Sequence, residues 1–241
     1  LVILPFEPEY FLKEGLPTSY VGHPAIEDLV IQDKKLFREK YNIPETNLLL
    51  CLAPGSRKQE IKRLLPVFLD GVVYLSKKIK QKITIAIPTR DYLKETIKKE
   101  IIHQSSDIIL VDDKDKQALF SASDLALAKS GTITTELAFY QMPMVVGYKL
   151  NPISHWLLKR MIIAKYATIV NLLADKELVP ELLQDKCNPI AIGEELYKAI
   201  SPKNKSKWSK ELKAQLAKLQ VGKQIPSQLA AEKILTLGYI K

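Results

Sequence analysis

Apolar residues fall along this chain in short, nearly unbroken runs separated by stretches with helical spacing. Leu48-Leu49-Leu50-Cys51-Leu52 is the clearest run, and those near 83–87, 107–111, 124–128 and 144–148 also read as strands buried on both faces. The segments between them carry apolar positions three and four apart, as amphipathic helices do. Such alternation predicts an α/β fold, a Rossmann-like parallel sheet with helices on both faces. Right-handed crossovers then bring the loops after residues 52, 111 and 128 to one edge, where open α/β sheets bind ligands. Ahead of this pattern, residues 1–5 and 19–21 read as strands and Pro8 to Lys13 as a short helix. Gly22-His23-Pro24 breaks the run, with a hinge near 22–32. Beyond about residue 150 the pattern turns mostly helical, and Ser201-Pro202-Lys203-Asn204-Lys205 reads as an exposed linker.

Two loops lead from a strand into a helix through a turn suited to an anion. In the first, APGSRKQE at 53–60, Pro54-Gly55 makes the turn, Ser56 is placed to be the N-cap, and Gln59 completes a capping box. Arg57 and Lys58 fall in the first helical turn, where the macrodipole disfavours cations by about 0.3–1 kcal/mol each. A bound anion removes that conflict, and free amides, a glycine and a guanidinium suit a diphosphate. Two solvated surface cations are the plainer alternative. In the second, AKSGTITTE at 128–136, Lys129-Ser130-Gly131-Thr132 forms the turn and a helix follows from about 132 to 141. Glu136 then sits in its second turn, placed either to accept hydrogen bonds from two ribose hydroxyls or to lie in solvent. Neither stretch is a Walker loop or a G-x-G-x-x-G fingerprint.

Charge narrows the partners. A formal net charge of +9 favours anionic surfaces or phosphorylated ligands. Nucleic acid ranks low, because no recognition motif accompanies the charge and aromatic content is only 7%. Anionic lipid ranks higher. Lys203, Lys205, Lys207, Lys210, Lys213 and Lys218 accompany Trp208, Leu212, Leu216 and Leu219 at helical spacing, which fits either a membrane-surface helix or a stripe packed on the protein. Residues 153–163 give a second candidate, equally suited to a core or subunit-contact helix. No apolar run approaches the ~20 residues that span a bilayer. Cys51 and Cys187 are far apart and suit a reducing compartment, and His23, His103 and His155 lack metal-ligand spacing. Asp113-Lys114-Asp115 matches a D-x-D motif, but its place between strand and helix favours helix capping. The expectation is therefore a site that uses neither a metal nor a cofactor.

LPFEPEYF (4–11), YVGHP (20–24), APGSRKQE (53–60), SASDLALAKSGTITTELAFYQMPMVVGYK (121–149) and YATIVNLLADKELVPELLQD (166–185) together resemble lipid-A-disaccharide synthases. The resemblance implies the C-terminal nucleotide-sugar-binding domain of a GT-B fold at 25–200, a remnant of the N-terminal acceptor domain at 1–24, and basic C-terminal helices at 201–241. It implies an inverting glycosyltransferase that moves 2,3-diacylglucosamine from UDP to 2,3-diacylglucosamine 1-phosphate in lipid A biosynthesis. Members act at the cytoplasmic face of the Gram-negative inner membrane, and a homodimer is a further implied partner.

For the site, the resemblance implies donor binding by Gly55, Ser56, Arg57, Ser130, Gly131, Thr132 and Glu136, with Arg57 stabilising the leaving diphosphate. The base is expected in the loop after Val111, largely on backbone groups. Asn171 bridges the donor or a partner subunit, or caps a helix, and Glu7 faces the cleft or stabilises a helix start. Because the chain opens at Leu1, in mid-strand, the expectation is a C-terminal part lacking the acceptor domain and the general base, and so inactive alone. Two rival functions share these features: a UDP-sugar epimerase of GT-B fold, and a noncatalytic membrane-surface or interaction module.

Overall fold

The computed structural model describes residues 1–102, 107–150 and 165–238. Six strands, β1 (Leu48–Ala53), β2 (Ile83–Thr89), β3 (Asp107–Asp112), β4 (Leu125–Lys129), β5 (Met144–Tyr148) and β6 (Glu181–Leu183), form one sheet in the order β3-β2-β1-β4-β5-β6. Every pairing is parallel. Among the described residues the α-helices are α1 (Glu7–Lys13), α2 (Lys34–Lys40), α3 (Lys58–Ser76), α4 (Asp91–Ile101), α5 (Lys116–Ala122), α6 (Thr132–Phe139), α7 (Ile169–Ala174), α8 (Pro189–Ala199), α9 (Pro202–Ala217) and α10 (Pro226–Gly238).

Alternation along each strand builds two cores. Leu48, Leu50 and Leu52 pack with Leu64, Phe68 and Ile192 from α3 and α8 on one face. Leu49, Cys51 and Ala53 pack with Phe120, Leu137 and Leu212 from α5, α6 and α9 on the other. A sheet buried on both faces needs apolar residues at successive positions, which is why β1 carries six buried residues in a row. Strand order reverses between β1 and β4, where Ala53 lies beside Ala128. Their crossovers diverge there, so a crevice opens at the C-terminal ends of these two strands.

Three expectations are corrected. The strands expected at 1–5 and 19–21 reduce to a single parallel bridge, Val2 to Tyr20, because Pro5 and Pro17 interrupt the ladder. Residues 181–183 form a sixth strand within a region read as helical; three residues at a sheet edge are too few to show a period. The expected linker at 201–205 is a helix start, with Ser201 Oγ accepting from Asn204 N at 3.3 Å and Pro202 in the first turn. On α9, Leu212 and Leu216, with Leu219 just beyond, are buried against the protein while the lysines stay exposed. That stripe is spent on the core, so α9 has no apolar face left for a membrane. The candidate helix at 153–163, His103 and His155 lie outside the described residues. Among the described residues no helix is long and apolar enough to cross a membrane.

The N-terminal segment docks onto the C-terminal end of α9. His23 N donates to Leu219 O at 3.0 Å and Tyr20 Oη to Lys218 O at 2.8 Å. His23 is buried, and its Nδ1 accepts from Ala25 N at 3.1 Å. Burial pushes the imidazole pKa below its ordinary value, against a smaller opposing effect of Glu7.

Candidate functional site

A cavity of about 360 Å³ sits at the switch point, with Gly55 and Ser56 on one side and Ser130, Gly131 and Thr132 on the other. The two predicted junctions therefore face each other across it. Glu136 of α6 also lines it, as do Lys116, Lys129 and Arg90, to which the sequence reading gave no role in binding.

The first junction closes differently from expectation. Arg57, not Ser56, is the N-cap of α3. The capping carboxylate is Glu60, not Gln59: its Oε2 accepts from Ser56 N at 3.0 Å and Arg57 N at 3.2 Å. These two amides are thus already paired with an internal anion rather than free for a ligand. Glu60 fits because Gly55 has φ +130 and no side chain; a Cβ there would stand 2.5 Å from Glu60 Oε2. Glu60 Oε1 lies 3.2 Å from Lys129 Nζ. Burial alone would raise the Glu60 pKa, but Lys129 and the two amides outweigh it and hold the carboxyl below its ordinary value. Tyr92 Oη, from α4, donates to Ser56 O at 3.0 Å and pins the turn from outside.

Arg57 itself is exposed and does not line the cavity. At this N-cap position the backbone is extended. Gly55 and Ser56 line the cavity, and Arg57, expected to contact the diphosphate, follows them in the chain outside that lining.

The second junction keeps its helix end open. Gly131 is the N-cap of α6, and no side chain caps the helix. Ser130 Oγ donates to Ala167 O at 2.7 Å, so its one hydroxyl proton is spent on the protein. Glu136, with its side chain 14% exposed, has Oε2 2.8 Å from Lys116 Nζ. The pair meets by distance without hydrogen-bond alignment, which leaves that oxygen without a hydrogen-bond partner. Its carboxylate is held at the cavity wall rather than solvated.

Asn171 does not belong to this site. Fully buried, it accepts from Leu178 N and Val179 N through Oδ1 and donates to Val179 O and Glu181 Oε1 through Nδ2, each at 2.8 Å. Every hydrogen-bonding site of the amide is used internally, so no bridge to donor or subunit remains. Glu181 also accepts from the amides of Ala167 and Thr168 and from Thr168 Oγ1. Glu7 stabilises the chain start, with Oε2 accepting from Ile3 N at 3.1 Å and Leu4 N at 2.8 Å.

The D-x-D carboxylates separate. Asp113 Oδ2 lies 3.4 Å from Arg90 Nε, whereas Asp115 takes Lys40 Nζ at 2.8 Å and Tyr41 Oη at 2.7 Å. Neither caps a helix: Asp115 stands at the N-cap of α5 without a side-chain capping bond. Asp113 lines the cavity in the loop after β3.

The lipid-A-disaccharide synthetase family profile matches residues 1–234. Among curated relatives, the lipid-A-disaccharide synthase of Rickettsia prowazekii (strain Madrid E) is 36% identical over 233 residues, 95% of this chain and 61% of the relative. That of Gluconobacter oxydans (strain 621H) is 38% identical over 242 residues, 98% of this chain and 58% of the relative. The chain thus spans about 60% of the length of these relatives. Among solved structures, a glycosyltransferase from Rickettsia africae matches with TM-score 0.59 at 13% identity, over 98% of this chain and 61% of that one. Anabaena HepE, solved with UDP and glucose, matches with TM-score 0.56 at 14% identity, over 99% and 62%. At such identities these structures speak for the fold, that of GT-B glycosyltransferases. With the parallel sheet, the switch-point cavity and a profile match over residues 1–234 in agreement, this chain belongs to the lipid-A-disaccharide synthetase family.

Proposed function

We propose that the switch-point cavity binds a UDP-sugar and that the chain forms the donor-binding part of a lipid-A-disaccharide synthase. The donor is UDP-2,3-diacylglucosamine and the acceptor 2,3-diacylglucosamine 1-phosphate. One observation carries the reading: the open N-terminus of α6 and the turn after β1 flank a cavity that is also lined by the Glu136 carboxylate from the second turn of α6. Backbone amides of Gly131 and Thr132 bind the diphosphate where the helix dipole favours negative charge. Glu136 accepts hydrogen bonds from the ribose hydroxyls, and the loop after β3 seats the base.

In the reaction, the acceptor's 6-hydroxyl forms a bond to the anomeric carbon from the face opposite UDP. Its proton passes to a base in the part of such enzymes that this chain does not cover. The bond from the anomeric carbon to the β-phosphate oxygen breaks, and UDP leaves with the charge. Residues 25–200 act as the donor domain and 1–24 as a piece of the acceptor domain. Stabilising the growing diphosphate charge in a preorganised site contributes several kcal/mol in comparable oxyanion sites. The exposed lysines of α9 suit an anionic inner-membrane surface.

Titration calorimetry with UDP tests this reading. Saturable binding of UDP, stronger than that of ADP, supports it; no binding of any uridine nucleotide refutes it.

A further inference from the structure

We infer that Lys129 is a side-chain ligand of the donor's diphosphate and that Glu60 is the positioning residue that holds it there. The inference rests on the nucleotide-sugar reading above and gives the cation role inside the cavity to a residue the sequence motif does not single out.

Position comes first. Lys129 is the last residue of β4, one step beyond the pairing of Ala128 with Ala53. Its side chain therefore leaves the sheet where the two central crossovers part. The Nζ lies between the two junctions: it is 3.2 Å from Glu60 Oε1 on the α3 side, and a Cβ built on Gly131 would stand 4.0 Å from it on the α6 side. The ring of Tyr148 is 5.2 Å away. Lys129 lines the cavity; Glu60 does not.

Charge and valence complete the argument. The Lys129 side chain is 21% exposed, so its ammonium is largely withdrawn from water. It also sits beside the positive end of α6, an arrangement that a single carboxylate offsets only in part. Glu60 cannot swing away, because its other oxygen is fastened to the amides of Ser56 and Arg57. An ammonium has three protons. Glu60 pairs with the ammonium by charge and the Tyr148 face attracts it from one side, which leaves N–H donors for an anion resting on the α6 amides. A diphosphate placed there meets the ammonium and the helix end together, with no rearrangement of either junction.

The test is calorimetry with UDP, uridine and inorganic pyrophosphate on the wild type and Lys129→Met, with thermal unfolding of both. Lys129→Met is expected to weaken UDP and pyrophosphate by about tenfold or more, as loss of a charge-assisted hydrogen bond does, and to leave uridine unchanged. As a measurement that needs no variant, UDP and pyrophosphate are expected to slow acylation of Lys129 in the wild type, read by mass spectrometry. UDP binding that is unchanged within twofold by Lys129→Met, or acylation of Lys129 unaffected by saturating UDP, overturns the inference while leaving the nucleotide reading intact. Pyrophosphate binding with Lys129 protected, but no added affinity from the nucleoside, supports the inference and overturns the nucleotide reading instead.

Discussion

Gly55 and Glu60 occupy space that only one side chain can fill: a Cβ on Gly55 would lie 2.5 Å from Glu60 Oε2 and 2.8 Å from Glu60 Cβ. Gly55 also has φ +130, outside the range that side-chain-bearing residues adopt freely. Gly55→Ala is therefore expected to lower stability by about 1–3 kcal/mol, from backbone strain and loss of the Glu60 cap together. Urea unfolding of the two proteins reads the difference. A change below about 0.5 kcal/mol would show that the turn can reshape at little cost.

Asn171 is expected to matter for folding and not for ligand. Asn171→Ala leaves the amides of Leu178 and Val179 without their acceptor in a buried setting, at a cost of about 2–4 kcal/mol. Asn171→Asp is expected to be worse, because a carboxylate cannot donate to Val179 O and places a second negative charge beside Glu181. At a temperature where Asn171→Ala remains folded, its UDP affinity should match the wild type within threefold. A larger selective loss of affinity would return Asn171 to the site.

Much of this was legible in the sequence. The strands from β1 to β5 announce themselves because a sheet covered on both faces requires consecutive apolar residues, and the junctions follow from where those runs stop. The cap of α3 was not legible. Ser56 with Gln59 and Arg57 with Glu60 are both spaced as capping boxes, and which one forms depends on the carboxylate also finding Lys129. That lysine is 69 positions along the chain and becomes a neighbour only once β4 pairs with β1. Asn171 misled for a related reason: a polar residue within an apolar run looks like a site until Val179 and Glu181 are seen to satisfy it.

Glu136 is expected to set the preference for ribose. With Lys116 at one oxygen, its carboxylate is fixed at the wall where a nucleoside's hydroxyls would lie. Glu136→Gln should weaken UDP by about tenfold and 2′-deoxy-UDP much less, so that the ratio of the two affinities falls. Competition binding of both nucleotides measures it. An unchanged ratio would remove Glu136 from the ribose contact.

His23 gives the fold a dependence on pH. Its Nδ1 accepts from Ala25 N and burial lowers its folded pKa, so the unfolded chain binds the proton first, near the reference 6.5. The stabilisation is fully present above pH 6.5 and is lost as pH falls towards the folded value. Unfolding free energy measured from pH 7.5 down to 5 should decline, and His23→Asn should flatten that decline. Equal slopes for both proteins would place the titrating group elsewhere.

The most direct measurement is amide chemical-shift mapping of the isotopically labelled chain during titration with UDP. The account predicts saturable shifts centred on Gly55, Ser130, Gly131, Thr132 and Glu136, at the C-terminal ends of β1 and β4. Saturable binding whose shifts instead cluster around Asn47, Ser76 and Lys82, in the hollow at the opposite edge of the sheet, would contradict it.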